Sequence, residues 1–487
     1  MTGTLHDAQL VADPSRTVAR LFLPGEGPAP SAHSRASEIT QRVMRIPAPQ
    51  VEKMAEELLA DYSERHSEIA MILSDNAAIV SSRLPASTEL AAAQTVVLGA
   101  AFTAEFATEG AALCNPSAIE HPDQSGLLAG QLRVAVALRS IGEGHISSIS
   151  FVDAIIGADD TWHFGERSTP PVQAAILPGD WSRDHFARAL KDENLLTALS
   201  SAVLRELGPR FTTADLELAL TTVPPRLTSQ PDSHWALDKL RTMAYSVYVA
   251  AFPASSELSQ RVLLPAADEE DHGMEDARFA RFTTADGTLS YRATYTAYDG
   301  SHIAPRLITS PDLQTFTINR MTGPAAQNKG MALFPRLIGG AHLALSRSDG
   351  ENISLARSED GVIWSDLGKL YGPTEPWEIV QTGNCGSPIE TEHGWVALTH
   401  GVGPMRTYSL GALLLDRHDP SKILKRTVAP LLQPSEITRD GYVPNVVYSC
   451  GGLLHHDRIW VPIGIGDQRI GVYSTGVDEL INAMSPS

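Results

Sequence analysis

The spacing of apolar positions changes along the chain. Val51, Met54, Leu58 and Tyr62 recur at three- and four-residue intervals, which predicts a helix entered through Pro47-Ala48-Pro49. Helical character continues to about Phe106. A second helical block runs from about Asp180 to Ala251 and takes in Phe186–Leu190, Leu195–Leu207 and Leu237–Tyr248. Elsewhere, short runs rich in Val, Ile, Leu, Tyr and Thr alternate with Gly, Asp, Ser and Pro. Leu132–Leu138, Leu289–Tyr298, His342–Leu345, Trp395–Thr399, Gly411–Leu415 and Ile459–Ile463 read as strands. Residues 1–40, rich in Pro, Ser and Gly, are expected to be loosely ordered. Residues 41–106 read as an N-terminal helical region, and 107–487 as a β domain with a helical insertion at about 180–251.

Repetition narrows the β architecture. Arg306–Phe316 aligns with Ser354–Trp364: Ser310 with Ser358, Asp312 with Asp360 and Phe316 with Trp364, each 48 residues apart. A unit of that period with short strands fits a propeller blade. His145–Phe151 reads as a degenerate third copy. The expected fold class is therefore mainly β, a five-bladed β-propeller with an added N-terminal helical region and a helical insertion.

Composition removes several function classes. The formal net charge is −19, which disfavours nucleic acid and anionic membranes as partners. No apolar run approaches the roughly 20 residues that span a bilayer, and the first residues lack a charged-then-apolar leader pattern. A cytoplasmic location is the expectation. Three scattered cysteines, Cys114, Cys385 and Cys450, suit buried apolar positions better than a metal site or a disulfide framework. Gly464-x-Gly466 lacks a dinucleotide-binding context. No metal or organic cofactor is expected.

The densest chemistry lies in Gly273-Met-Glu275-Asp276-Ala-Arg278, beside the strand pair Phe279–Phe282 and Leu289–Tyr298. Adjacent carboxylates next to an arginine can be driven apart in pKa. Read from spacing alone, a solvated turn with a salt bridge is the better account. Beyond it come Tyr295-Thr-Ala-Tyr298-Asp299-Gly300, Ala304-Pro-Arg306 and Lys329-Gly-Met-Ala-Leu333-Phe334-Pro335. Then follow Gly383-Asn-Cys-Gly-Ser-Pro388, Thr399-His400-Gly401, Gly411–Asp416 and Val443-Pro-Asn445. Upstream lie Cys114-Asn115-Pro116-Ser117 and Ala137-Leu138-Arg139. Over residues 110–165 and 260–480 this ordered series resembles the inverting β-mannoside phosphorylases and mannosidases of glycoside hydrolase family 130.

The resemblance implies a five-bladed propeller and a catalytic acid at Asp276. It also implies inorganic phosphate as co-substrate, attacking the anomeric carbon of a β-linked manno-oligosaccharide with inversion and giving α-mannose 1-phosphate. Such a glycosyltransferase-type phosphorylase needs no catalytic base, whereas hydrolysis needs a carboxylate to activate water. Arg306, Lys329, Arg278, His145 and Arg139 are the expected phosphate ligands. Asn115, Glu275, Tyr298, Asp299, His400, Asn445, Tyr442 and Asp467 are the expected sugar ligands. Ala277 stands where the family carries proline, and Ser346 where its phosphorylases often carry histidine. The second departure keeps an inverting β-mannosidase open as the alternative. A non-catalytic sugar-binding propeller is a further one. By analogy with longer relatives, the extra helices point to β-1,2-linked mannosides, and they are also candidates for a homo-oligomer interface.

Overall fold

The computed structural model describes residues 3–24, 35–66, 68–81, 89–167 and 170–486. Two compact units result. One comprises residues 1–12, 111–167 and 173–487; the other comprises 13–110 and 168–172.

Five antiparallel runs of strands follow one another in the larger unit, the first two joined into one twelve-stranded sheet by a parallel contact between Gly273 and Ser147. The first is Ala112–Glu120, Leu132–Ile141 and Ser147–Ile156 with the short Trp162–Phe164. The second is Gly273–Thr283, Leu289–Tyr298, Ile303–Ser310 and Thr315–Arg320. The third runs from Ala332–Leu333 to Ser365–Tyr371, and the fourth from Gln381–Asn384 to Ile423–Arg426. The fifth contains Arg458–Ile465 and Arg469–Gly476, and its outer strand is Thr4–Val11 from the start of the chain. Apolar residues of neighbouring runs are buried against one another. Phe334, Leu345 and Leu355, for example, pack with Trp395, Ala397 and Leu413 across two groups.

The 48-residue repeat is a repeated turn. In the second group Ser310 Oγ accepts from the Leu313 N–H, and Asp312 Oδ1 accepts from Gln314 and Thr315. In the third, Ser358 Oγ accepts from Gly361 and Asp360 Oδ1 from Val362 and Ile363. Leu313 and Gly361 hold the same left-handed position, φ 57° and 82°, and Phe316 and Trp364 are fully buried. His145–Phe151 does not copy this turn. Ser147–Phe151 lie inside a strand, and the corresponding reversal follows Ile156 instead.

Other expectations need correction. Residues 1–40 are not loosely ordered throughout: Thr4–Val11 completes a sheet and Thr17–Leu21 pairs with Thr103–Ala107. The helical reading of 103–106 fails at that same strand pair. In the smaller unit, Arg35–Met44, Ala48–Tyr62, Ile69–Ser81 and Ala92–Ala101 are helical, around a core that includes Val51, Val80, Leu98 and Phe102. In the larger unit, Arg183–Asp192, Ala198–Glu206, Thr213–Thr221 and Ser233–Tyr245 are helical, with Ser182, Thr197 and Thr212 as N-caps of the first three. They bury Trp181, Phe186, Val203, Leu216 and Leu240 together. Tyr248–Ala251, read as the end of that helical block, is a strand paired with Thr315–Arg320. Among the described residues no helix is long and apolar enough to cross a membrane.

Candidate active site

Two strands carry the same irregularity. In Ala112–Glu120, Cys114 pairs with Arg139 and Ser117 with Ala137, so Asn115 and Pro116 face one residue. In Gly273–Thr283, Glu275 pairs with Thr296 and Arg278 with Thr294, so Asp276 and Ala277 face one residue. Such bulges re-aim a side chain out of the ladder. Both lead residues are left-handed, φ 47° at Asn115 and 57° at Asp276. Outside glycine, that conformation is best tolerated by asparagine and aspartate, and it gathers at functional sites. The Phe279 N–H donates to Ser117 Oγ at 3.0 Å and joins the two strands.

The bulges bring the side chains together. Asn115 Nδ2 donates to Asp276 Oδ1 at 2.5 Å. Arg139 spans both carboxylates, reaching Asp276 Oδ1 at 3.0 Å and Glu275 Oε1 at 2.6 Å, while its Nε donates to Ser147 Oγ. Lys329 Nζ lies 3.9 Å from Glu275 Oε2. Arg278 is fully buried and donates to the Asp276 carbonyl, the Cys385 carbonyl and Tyr448 Oη. Burial alone would push the Asp276 carboxyl up. Arg139, Arg278, Lys329 and the Asn115 hydrogen bond outweigh it and hold the group well below the usual carboxylate range.

A second carboxylate behaves oppositely. Asp467, left-handed at φ 46°, is pushed up to about 6 by burial. Arg139 and Arg406 pull it down, and the Asp276 charge pushes it further up. Its Oδ1 is enclosed and has no protein hydrogen-bond partner.

His400 is buried with Tyr408 and Tyr448, ring centroids 5.9 and 4.9 Å away. Burial, then Arg347 and Arg278, hold it well below the usual histidine value. It is therefore a neutral ring at physiological pH.

Two residues absent from the sequence-based set also belong here. Arg347 is buried, packs against Gly330 and Gly383, and leaves its Nε without a partner. Asn384 donates to the Gly330 carbonyl at 2.8 Å and leaves Oδ1 without a partner. Asn115 Oδ1 and His400 Nδ1 are unpartnered as well. Unpaired buried polar atoms are rare in folded proteins, and five of them occur around this one centre. The sequence held a signal for both residues: Gly383-Asn384-Cys385 echoes Cys114-Asn115-Pro116, and Arg347 follows the Ser346 departure.

Other expected ligands are placed elsewhere. Arg306 is fully buried in contact with Glu269, which also holds Arg320. It belongs to that ion cluster and not to the Asp276 centre. His145 accepts or donates at 2.7 Å with Tyr442 Oη, in an exposed pair. Asn445 acts through its backbone, receiving the Tyr408 N–H and donating to the Arg439 carbonyl. Asp299 Oδ1 caps its own turn through Ser301 and His302, and Tyr298 Oη donates to the Gly300 carbonyl.

Over much of its length the chain is similar in sequence to proteins named as mannoside phosphorylases. The family model for glycoside hydrolase family 130, described as beta-1,4-mannooligosaccharide phosphorylase, matches residues 253–486. The chain is 33% identical over 216 residues to a beta-1,2-mannobiose phosphorylase of Thermoanaerobacter sp. (strain X514), covering 43% of this chain and 69% of the relative. It is 40% identical over 147 residues to a 1,2-beta-oligomannan phosphorylase of the same strain, covering 30% of this chain and 49% of the relative. It is 29% identical over 230 residues to a beta-1,2-mannobiose phosphorylase of Listeria innocua, covering 46% and 63%. For these last two, the match spans less than two thirds of the relative's length. The solved Listeria innocua beta-1,2-mannobiose phosphorylase in complex with beta-1,2-mannobiose aligns over 78% of this chain and 92% of its own, at 21% identity and TM-score 0.44.

Proposed function

Because the chain belongs to glycoside hydrolase family 130, we propose that it catalyses inverting phosphorolysis of β-linked manno-oligosaccharides, with β-1,2 linkages as substrate. The products are α-mannose 1-phosphate and the shortened oligosaccharide. The relatives named for β-1,2-mannosides support the linkage. The five strand groups are read as five propeller blades, with Asp276 at the inner strand of the second. The three cysteines are buried and unpaired, which suits a reducing cytoplasmic location.

The observation that carries the reading is one ionised carboxylate, Asp276, ringed by Arg139, Arg278 and Lys329. Phosphate needs cations. Lys329 and Arg347 flank Gly330, and the free Arg347 Nε offers a donor. They form the proposed phosphate seat, and Arg347 takes the place first given to Arg306. Hydrogen phosphate brings two negative charges and one proton. Its charge offsets the cationic field, which raises the proton affinity of Asp276. Asp276 takes up the proton that hydrogen phosphate brings and passes it, through a sugar hydroxyl, to the departing glycosidic oxygen, as that oxygen's bond to the anomeric carbon breaks and a phosphate oxygen bonds in its place. Asp276 is left ionised again, and the sugar phosphate leaves as the dianion. Asn115, Asn384 and His400 present unpaired polar atoms to sugar hydroxyls, and neutral His400 can accept as well as donate.

One observation favours a second reading. Asp467, with a free oxygen and a value of about 6, is suited to activate water near neutral pH in an inverting hydrolysis. Initial rates on β-1,2-mannobiose and longer β-1,2-mannosides across a phosphate series separate the two. Saturable dependence on phosphate supports phosphorolysis. Free mannose at a rate indifferent to phosphate assigns hydrolysis and the base role to Asp467.

A further inference from the structure

The larger unit encloses a second feature, a cavity of about 680 Å3. Its size lies within the ~300–1,000 Å3 of small-molecule sites. One wall is a face of the helix Ser233–Tyr245. Trp235, Lys239, Thr242 and Met243 stand at i, i+4, i+7 and i+8 and line it together. The opposite wall is formed by the ends of the strands Leu289–Tyr298 and Ile303–Ser310. Asn328, the residue before Lys329, forms part of the lining, so the cavity lies one residue from the proposed phosphate seat. The wall helix lies outside the span matched by the family model, residues 253–486.

The chemistry of the lining is selective. Five carboxylates, Asp192, Glu193, Asp268, Glu269 and Asp299, face two cations, Lys239 and Arg320. Arg320 is already taken up by Glu193 and Glu269. An anion would be repelled; each carboxylate already holds a protein partner, Asp192 with Arg188, Glu193 and Glu269 with Arg320, Asp268 with Thr242 and Asp299 with its own turn, but keeps lone pairs that can accept from the hydroxyls of a neutral ligand. Trp235 is the exposed tryptophan, at 56%. Trp162, Trp181, Trp364, Trp395 and Trp460 are buried, and Trp377 is half-buried with its indole donating to the Val428 carbonyl. An indole ring on the wall of a carboxylate-lined cavity combines a flat apolar face for sugar C–H groups with acceptors for the hydroxyls around them.

We propose that this cavity binds the acceptor-side portion of a longer β-mannoside, stacking a sugar ring on Trp235, so that the helical insertion sets the enzyme's preference for chain length. The inference rests on the phosphorolysis reading for the identity of the sugar. Its test compares wild type, Trp235→Ala and Trp235→Phe on β-1,2-mannosides from disaccharide to hexasaccharide. The expected result is a loss of about tenfold in the ratio of kcat/KM for hexasaccharide over disaccharide in Trp235→Ala, with most of it restored in Trp235→Phe. Titration with hexasaccharide without phosphate should change the tryptophan fluorescence of wild type and not of Trp235→Ala. An unaltered ratio and an unaltered titration in a Trp235→Ala protein with wild-type circular dichroism would overturn the proposal. If wild type turns over no β-mannoside, the phosphorolysis reading fails separately. The same titration with neutral gluco- and xylo-oligosaccharides then decides whether the cavity binds saccharide at all: saturable, Trp235-dependent binding retains a saccharide site, and none ends it.

Discussion

The Asp276 centre and the Trp235 cavity have opposite charge inventories. Around Asp276, cations outnumber the carboxylates they touch, and arginine donors are fixed by backbone carbonyls and hydroxyls. Around Trp235, carboxylates outnumber cations and the aromatic ring is left open. The first region suits an anionic reactant and the second a neutral chain. A protein of net charge −19 can therefore draw phosphate only to a small, locally positive pocket. The difference suggests how one fold separates reaction from selection: the bulged strands concentrate charge, and the inserted helix supplies surface.

The comparison breaks first at Asp276. Asp276→Asn is expected to lower turnover about a thousandfold or more while leaving the fold intact, measured as mannose 1-phosphate release. Arg139→Ala strips one partner from both Asp276 and Glu275 and leaves them enclosed. It should cost about 3 kcal/mol, read by urea unfolding. Arg347→Ala removes the free donor of the proposed phosphate seat. A rise of about tenfold or more in the KM for phosphate is expected, with a smaller change in that for the oligosaccharide. An equal rise in both would place Arg347 outside the seat.

The smallest effect sharpens the contrast between the two carboxylates. Asp276, held low, contributes stability above about pH 4 that is lost as pH falls further. Asp467, pushed up to about 6, works the other way. Its contribution is full below about pH 4 and is lost as pH rises through about 6. Asp467→Asn should therefore flatten the fall in stability between those values by about 1–2 kcal/mol, allowing for partial exposure. Thermal unfolding of both proteins across pH 4–8 measures it.

Much of the centre could be read from the sequence because its residues sit in short, distinctive runs. Asn115, Arg139, Glu275, Asp276, Arg278 and Lys329 come together in one centre. Arg306 does not, because a motif says that an arginine is present but not which carboxylate holds it, and Glu269 lies in an acidic run with no signal of its own. Asn445 was visible as a strand-end residue, yet its contribution is its backbone. The first strand escaped notice because Thr4–Val11 finds its partner at Arg469–Gly476, and no local pattern reports a pairing across the whole chain. Adjacent residues on a strand point to opposite faces, but His455 and His456 do not. Their rings stack at 4.0 Å because His456 turns left-handed, φ 52°, at the strand end.

The most direct test of the central claim follows inorganic phosphate by phosphorus NMR during incubation with β-1,2-mannobiose, for wild type and Asp276→Asn. The account predicts that the phosphate resonance gives way to that of α-mannose 1-phosphate in wild type and persists in Asp276→Asn. Accumulation of free mannose with phosphate unconsumed, or conversion at the same rate in both proteins, would contradict it.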